Sequence, residues 1–111
     1  MEDKFTQQIK KGVLELLVLK LICDQPSYGY QLQKQLSQLS DGLFQLKEGV
    51  LYPILYRLED DGLIVSGWQQ GQGRAAPKKI YRATPLGHQE NSRRQEIWQT
   101  FTDRVQKILK G

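Results

Sequence analysis

Between Gly71 and His88 the chain carries Arg74, Lys78, Lys79 and Arg82 and no acidic residue. Elsewhere the two signs are mixed. There are five of each from Met1 to Leu46, two basic against four acidic from Lys47 to Gln70, and five against three from Gln89 to Gly111. The formal charge of +4 is therefore concentrated in one short stretch. Such a cluster suits the regularly spaced phosphates of a nucleic acid, whose neutralisation releases counterions. A second set stands upstream: Lys47, Glu48, Gly49, Tyr52, Tyr56 and Arg57. Their side chains can hydrogen-bond phosphates or base edges, and Gly49 lets a backbone approach closely. Tyr28 and Lys34 are further phosphate candidates. The competing reading packs Tyr52 or Tyr56 into the core and leaves Tyr28 and Lys34 as solvated surface.

No residue set for covalent or metal chemistry accompanies them. The chain has one cysteine, Cys23, and one histidine, His88. That rules out an intramolecular disulfide and the usual tetrahedral zinc site, and it leaves no Ser/His/Asp or Cys/His arrangement for nucleophilic catalysis. Cys23 reads as a small buried hydrophobe and His88 as a solvent-facing polar residue. Gly71-Gln72-Gly73 lacks the third glycine and following helix of a dinucleotide fingerprint. The reading is therefore a non-enzyme with no metal and no cofactor. The apolar run Val13 to Ile22 is interrupted by Glu15 and Lys20 and is too short to span a membrane. A cytoplasmic protein is expected.

The elements that must position these residues follow from hydrophobic period and punctuation. A helix is expected from about Phe5 to Asp24, apolar on nearly every face from Val13 onward and closed by Pro26. Ser27 is the expected N-cap of a second helix to Leu39, with Leu32, Leu36 and Leu39 inward and Gln31, Lys34, Gln35 and Gln38 outward. A turn at Ser40-Asp41-Gly42 precedes a third helix, about Glu48 to Asp61, with Val50, Leu51, Ile54, Leu55 and Leu58 inward and Gly62 as its stop. The period then changes to that of two strands, Leu63 to Gln70 and Lys79 to Ala83, joined by a long loop. Trp68 is expected to cover the base of this hairpin. Thr84 and Pro85 open a last helix running to about Leu109.

The fold expected is thus mainly α with a small β-hairpin. Helices two and three form a helix-turn-helix and the hairpin forms a wing, so the third helix would enter the major groove of duplex DNA while the wing follows the backbone. Residues 1–84 make the winged-helix domain and residues 85–111 a long dimerisation helix packed on it. That helix has its apolar residues, Ile97, Trp98, Phe101, Val105, Ile108 and Leu109, only in its far half. A stripe so placed is best covered by a second copy, with Phe5 and Ile9 joining it in a homodimer. A winged-helix module for protein contact, without direct DNA binding, is the alternative.

Several segments resemble PadR-type regulators. They are Gly12-Val13-Leu14-Glu15-Leu16-Leu17-Val18-Leu19, Tyr28-Gly29-Tyr30-Gln31-Leu32, Gly49-Val50-Leu51-Tyr52-Pro53-Ile54-Leu55-Tyr56-Arg57-Leu58-Glu59, Asp61-Gly62-Leu63-Ile64, and Lys79-Ile80-Tyr81-Arg82-Ala83-Thr84-Pro85-Leu86-Gly87. The length is similar to that of the short subfamily with a single C-terminal helix. The sequence departs from the family at the wing tip, where Ala75-Ala76-Pro77 separates Arg74 from Lys78. The resemblance implies a dimeric regulator, usually a repressor, on a pseudo-palindromic operator. It also implies that Trp98 lines a space at the dimer centre where flat aromatic or cationic effectors stack. Helix geometry adds Gln8, Lys11, Gly12, Glu15 and Asp103 to that space. The plainer role for Trp98 is a dimer anchor alone.

Overall fold

A computed structural model describes residues 2–111. Helix α1 spans Lys4–Asp24, and the Asp3 carboxylate caps it by accepting from the Thr6 N–H at 2.8 Å. A two-residue strand β1, Ser27–Tyr28, leads into α2, Gly29–Leu39. Then follow α3, Glu48–Asp60, strands β2, Ile64–Gln69, and β3, Lys78–Ala83, and α4, Pro85–Leu109. The winged-helix order expected from the sequence is present.

The sheet, however, has three antiparallel strands in the order β1-β3-β2. Ser27 is not the cap of α2. It is a fully buried strand residue opposite Tyr81, and its hydroxyl donates to the Gln25 carbonyl at 3.0 Å. Tyr28 occupies the cap position, with its N–H donating to the Gln31 side-chain carbonyl at 3.0 Å. The reason is the outer edge of β3, whose backbone groups need partners once β2 has taken the other edge. Extended residues just after Pro26 supply them. A pair that short has no period to read.

The core is built where three helices and the sheet meet. Val18, Leu19 and Ile22 of α1 pack with Leu32 and Leu36 of α2, Leu51, Ile54, Leu55 and Leu58 of α3, and Leu63, Ile64 and Tyr81. Each side chain removed from water contributes roughly 1.5–3 kcal/mol. Two residues expected inside are outside: Val50 and Leu39 are 45% and 74% exposed. Both lie at helix ends, where the neighbouring element no longer covers the stripe. Gln31 and Gln35, expected outside, are half-buried.

Helix α3 ends as its sequence demands. Gly62 takes a positive φ of 75°, its N–H donates to the Glu59 carbonyl, and the Leu63 N–H donates to the Leu58 carbonyl, each at 3.0 Å. This pairing closes the helix and turns the chain directly into β2. The wing then runs from Ile64 opposite Ala83 to Gln69 opposite Lys78. Thr84 caps α4 by accepting from the Gly87 N–H at 3.0 Å and ties it to the α3 stop by donating to the Gly62 carbonyl at 2.7 Å.

Tyr81 is 1% exposed and its hydroxyl has no hydrogen-bond partner among the described residues. Burial pushes its phenol up to about 12 from an ordinary value of 10.0, and the neighbouring Tyr52, Glu59 and Tyr56 push in the same direction. Because the folded value exceeds the unfolded one, this stability is complete below pH 10 and is lost as pH rises towards about 12. Tyr81→Phe, which removes only an unpartnered oxygen, should leave urea stability at neutral pH within about 0.5 kcal/mol of wild type. It should also flatten the alkaline decline, as urea midpoints over that pH range will show.

Candidate nucleic-acid interface

The N-terminal end of α3 is open to solvent. Lys47, Glu48 and Gly49 are exposed, and a methyl group added at Gly49 would meet nothing within 4 Å. The α2–α3 connection that aims this end is held by side chains. Gln33 Nε2 donates to the Leu46 carbonyl at 2.8 Å, and Ser40 Oγ donates to the Leu36 carbonyl at 2.6 Å while accepting from the Phe44 N–H at 2.9 Å. A groove of about 420 Å³ beside it is lined by both Lys34 and Lys47, together with Tyr30 and Gln33. Lys34 of α2 and Lys47 at the start of α3 thus share one groove. Tyr30 and Gln33 were missed, although Gln33 lies one residue before Lys34.

The wing brings Lys78 to β1. Lys78 Nζ sits 4.3 Å from the centre of the Tyr28 ring, a cation–π contact across the β1–β3 pair. Two residues expected on separate grounds to meet phosphates thus adjoin each other. Arg74, Lys78 and Arg82 are exposed and Lys79 is half-buried. The chain between Gln70 and Pro77 forms a compact tip in which the Ala75 N–H donates to the Gln72 carbonyl at 3.0 Å.

Two of the expected DNA-facing residues also make contacts within the chain. Tyr52 is half-buried, and its hydroxyl lies so close to Gly29 that a Cβ there would approach it to 2.6 Å. It packs α3 on the start of α2, which is the competing role for this residue. Tyr56, with its ring centre 6.4 Å from that of Tyr52, is 54% exposed and free to meet a ligand. Arg57 donates from Nε to Glu15 Oε1 at 2.5 Å, so its guanidinium is turned towards α1. Its partner is 42 residues away in sequence.

A second concavity of about 550 Å³ lies between α1 and α4. Of the expected effector residues, Gly12, Glu15 and Trp98 line it; Gln8, Lys11 and Asp103 do not. Lys11 faces the α1–α3 groove, and Asp103 accepts from Gln99 Nε2 at 3.0 Å on the surface of α4. The lining residues that were missed are Val13, Leu16 and Arg94. Arg94 donates from Nε to Glu90 at 2.8 Å and lies 4.0 Å from Glu15. This pairing holds the Glu90 carboxyl below its ordinary range. Trp98 stacks on Phe101 with ring centres 6.3 Å apart and planes 24° apart. Ile9, Ile97 and Phe101 share this concavity, while Phe5, Val105, Ile108 and Leu109 extend the exposed apolar face.

Comparison with known proteins matches residues 18–93 to the model of the transcriptional regulator PadR-like family. The chain belongs to the PadR-like family of transcriptional regulators. A transcriptional regulator of Mycobacterium tuberculosis is 36% identical over 81 residues, covering 73% of this chain and 71% of its own. The crystal structure of a PadR family regulator from Eggerthella lenta superposes with a TM-score of 0.82 at 32% identity, covering 95% of this chain and 88% of that one. The structure of a Clostridium thermocellum transcriptional regulator gives 0.81 at 28%, covering 90% and 96%.

As a PadR-like winged helix, the chain is a DNA-binding transcriptional regulator, and its surface chemistry is that of binding. Among the described residues, no group of three or more His, Cys, Asp or Glu is placed to hold a metal ion, and no helix is long and apolar enough to cross a membrane. Cys23 is half-buried, its Sγ 3.7 Å from the Gly87 carbonyl. Burial, aided by nearby Asp24, raises its thiol, so it is a packing group at the α1–α4 contact. Trp68, expected to cover the wing base, lies in β2 but is 73% exposed. It stands beyond the last residue that the helices cover.

Proposed function

We propose that this PadR-like regulator is a homodimeric repressor that binds a pseudo-palindromic operator. Residues 1–84 read the DNA and residues 85–111 join two copies. The observation that supports this is an exposed α3 N-terminus in the same winged-helix domain as an acid-free basic wing, whose Lys78 reaches Tyr28 at the start of α2. Lys47, Glu48, Gly49 and Tyr56 face base edges in the major groove; Tyr28, Lys34, Arg74, Lys78 and Lys79 contact phosphates. Tyr52 and Arg57 serve by positioning α3, through Gly29 and Glu15.

The exposed apolar face of α1 and α4 supports the dimer. An apolar face this extended on a regulator of this size is stable in water once a second copy covers it. Two domains joined in this way present two recognition helices to successive major grooves. The α1–α4 concavity, with Trp98, Phe101 and the Glu15 carboxylate, suits a flat aromatic cation. Its occupation would alter the spacing of the two wings and so release the operator.

Duplex binding with a salt titration tests the DNA reading. The probe is DNA from upstream of the protein's own gene, with an unrelated duplex as control. Arg74→Ala/Lys78→Ala/Lys79→Ala should weaken binding to both duplexes. It should also reduce the slope of log K against log salt by about 2 to 3, close to one ion for each phosphate that the variant no longer neutralises. Binding of neither duplex at low salt would assign the fold to protein contact instead.

A further inference from the structure

The wing holds a residue whose exposure no packing role explains. Trp68 lies directly opposite Lys79 in the β2–β3 ladder, two residues beyond the Ser66–Tyr81 pair. Side chains of directly opposed residues, and of residues two apart in one strand, share a sheet face. That face is the one turned to the helices: Tyr81 is buried there, and Ser66 Oγ donates to Glu59 Oε2 of α3 at 2.6 Å. Trp68 therefore continues the helix-side face of the wing past the point where α3 stops covering it. The same face thus runs from the buried Tyr81 and the Ser66–Glu59 contact out to Trp68. Its indole is 73% exposed, and the segment that follows and pairs with its strand, Gly71 to His88, contains four cations and no acid.

We infer that Trp68 is a DNA contact, laid against the sugar–phosphate backbone at the border of the groove that α3 enters. This rests on the DNA-binding reading above. A tryptophan suits the place physically. Its broad face covers the apolar sides of deoxyribose, and its Nε1–H, a donor without an acceptor, is matched to a phosphate oxygen. Lys79, opposite Trp68 in the ladder, has its Nζ 5.8 Å from the centre of the Tyr81 ring on the same face and adds positive charge there. Because sugar and phosphate are the same at every base pair, Trp68 adds affinity and orientation and does not read sequence.

The test uses the full chain with the same two duplexes. Trp68→Ala should bind both about tenfold more weakly, the loss expected for a hydrogen bond to a charged acceptor with its covering contact. Trp68→Phe, which keeps a ring face and loses the donor, should fall between. Far-ultraviolet dichroism and thermal unfolding should match wild type, since the side chain lies outside the core. In fluorotryptophan-labelled protein followed by fluorine NMR, the Trp68 resonance, assigned from Trp68→Phe, should shift on adding DNA. Wild-type affinity in Trp68→Ala to within about twofold would overturn the inference while leaving the DNA reading intact. A loss confined to the upstream duplex would overturn the backbone assignment. A Trp68 resonance that moves with protein concentration and not with DNA would assign the face to a second copy. If wild type binds neither duplex, the reading beneath the inference fails first.

Discussion

Phe101→Glu should yield a folded monomer that has lost at least about a hundredfold in affinity for the upstream duplex, because two linked half-sites are replaced by one. Phe101 is 60% exposed in the single chain, so a carboxylate there remains solvated and the winged-helix core is untouched. In the proposed dimer the same carboxylate would be buried against Trp98 and the partner's apolar face. An unpaired charge in such an interface costs several kcal/mol, comparable to the whole stability of a modest dimer. Sedimentation of the variant gives its mass, dichroism its fold and a duplex titration its affinity. A folded Phe101→Glu dimer with wild-type affinity would remove the α1–α4 face from the proposal. A monomer with undiminished affinity would show that one domain suffices for DNA.

The second large effect concerns the joint between α4 and the domain it leaves. Gly87 is buried, and a Cβ there would lie 2.0 Å from the Leu63 carbonyl oxygen and 3.0 Å from its carbon. Neither can withdraw cheaply. The Leu63 carbonyl also accepts from the Thr84 N–H at 3.0 Å, and its N–H closes α3 on Leu58. Gly87→Ala should therefore cost ~3 kcal/mol, at the upper end for added volume in a packed site. For a chain of this size that is a fall in Tm of roughly 10 to 15 °C, measurable by calorimetry. Alanine's better helix propensity recovers at most about 1 kcal/mol. A Tm unchanged by the substitution would show that α4 is loosely seated on the α3–β2 turn.

Gly87 and Gly49 show how far residue type can be read without a fold. Both are helical glycines within segments that resemble the family, but one is pressed against a backbone carbonyl and the other faces open space. Only the first is a packing requirement. Similarly, Tyr52 and Tyr56 are four residues apart and both fall off the apolar stripe, yet α2 begins over one and not over the other. The salt link of Arg57 to Glu15 joins residues 42 apart and has no local signature. The same is true of Arg94, which belongs to the α1–α4 concavity because α4 lies along α1.

What could be read along the chain was what local physics dictates. Thr84-Pro85 and Gly62 set where α4 starts and α3 stops, because capping hydrogen bonds and backbone torsions are satisfied within a few residues. The α4 stripe and the acid-free wing were equally plain, since period and charge are sums over neighbours. The third strand, the engaged states of Tyr52 and Arg57 and the exposure of Trp68 depended on which surfaces meet when the elements pack. Those outcomes are set by contacts between residues far apart in sequence. No stretch of residues carries them until α1, the sheet and α3 have closed on one another.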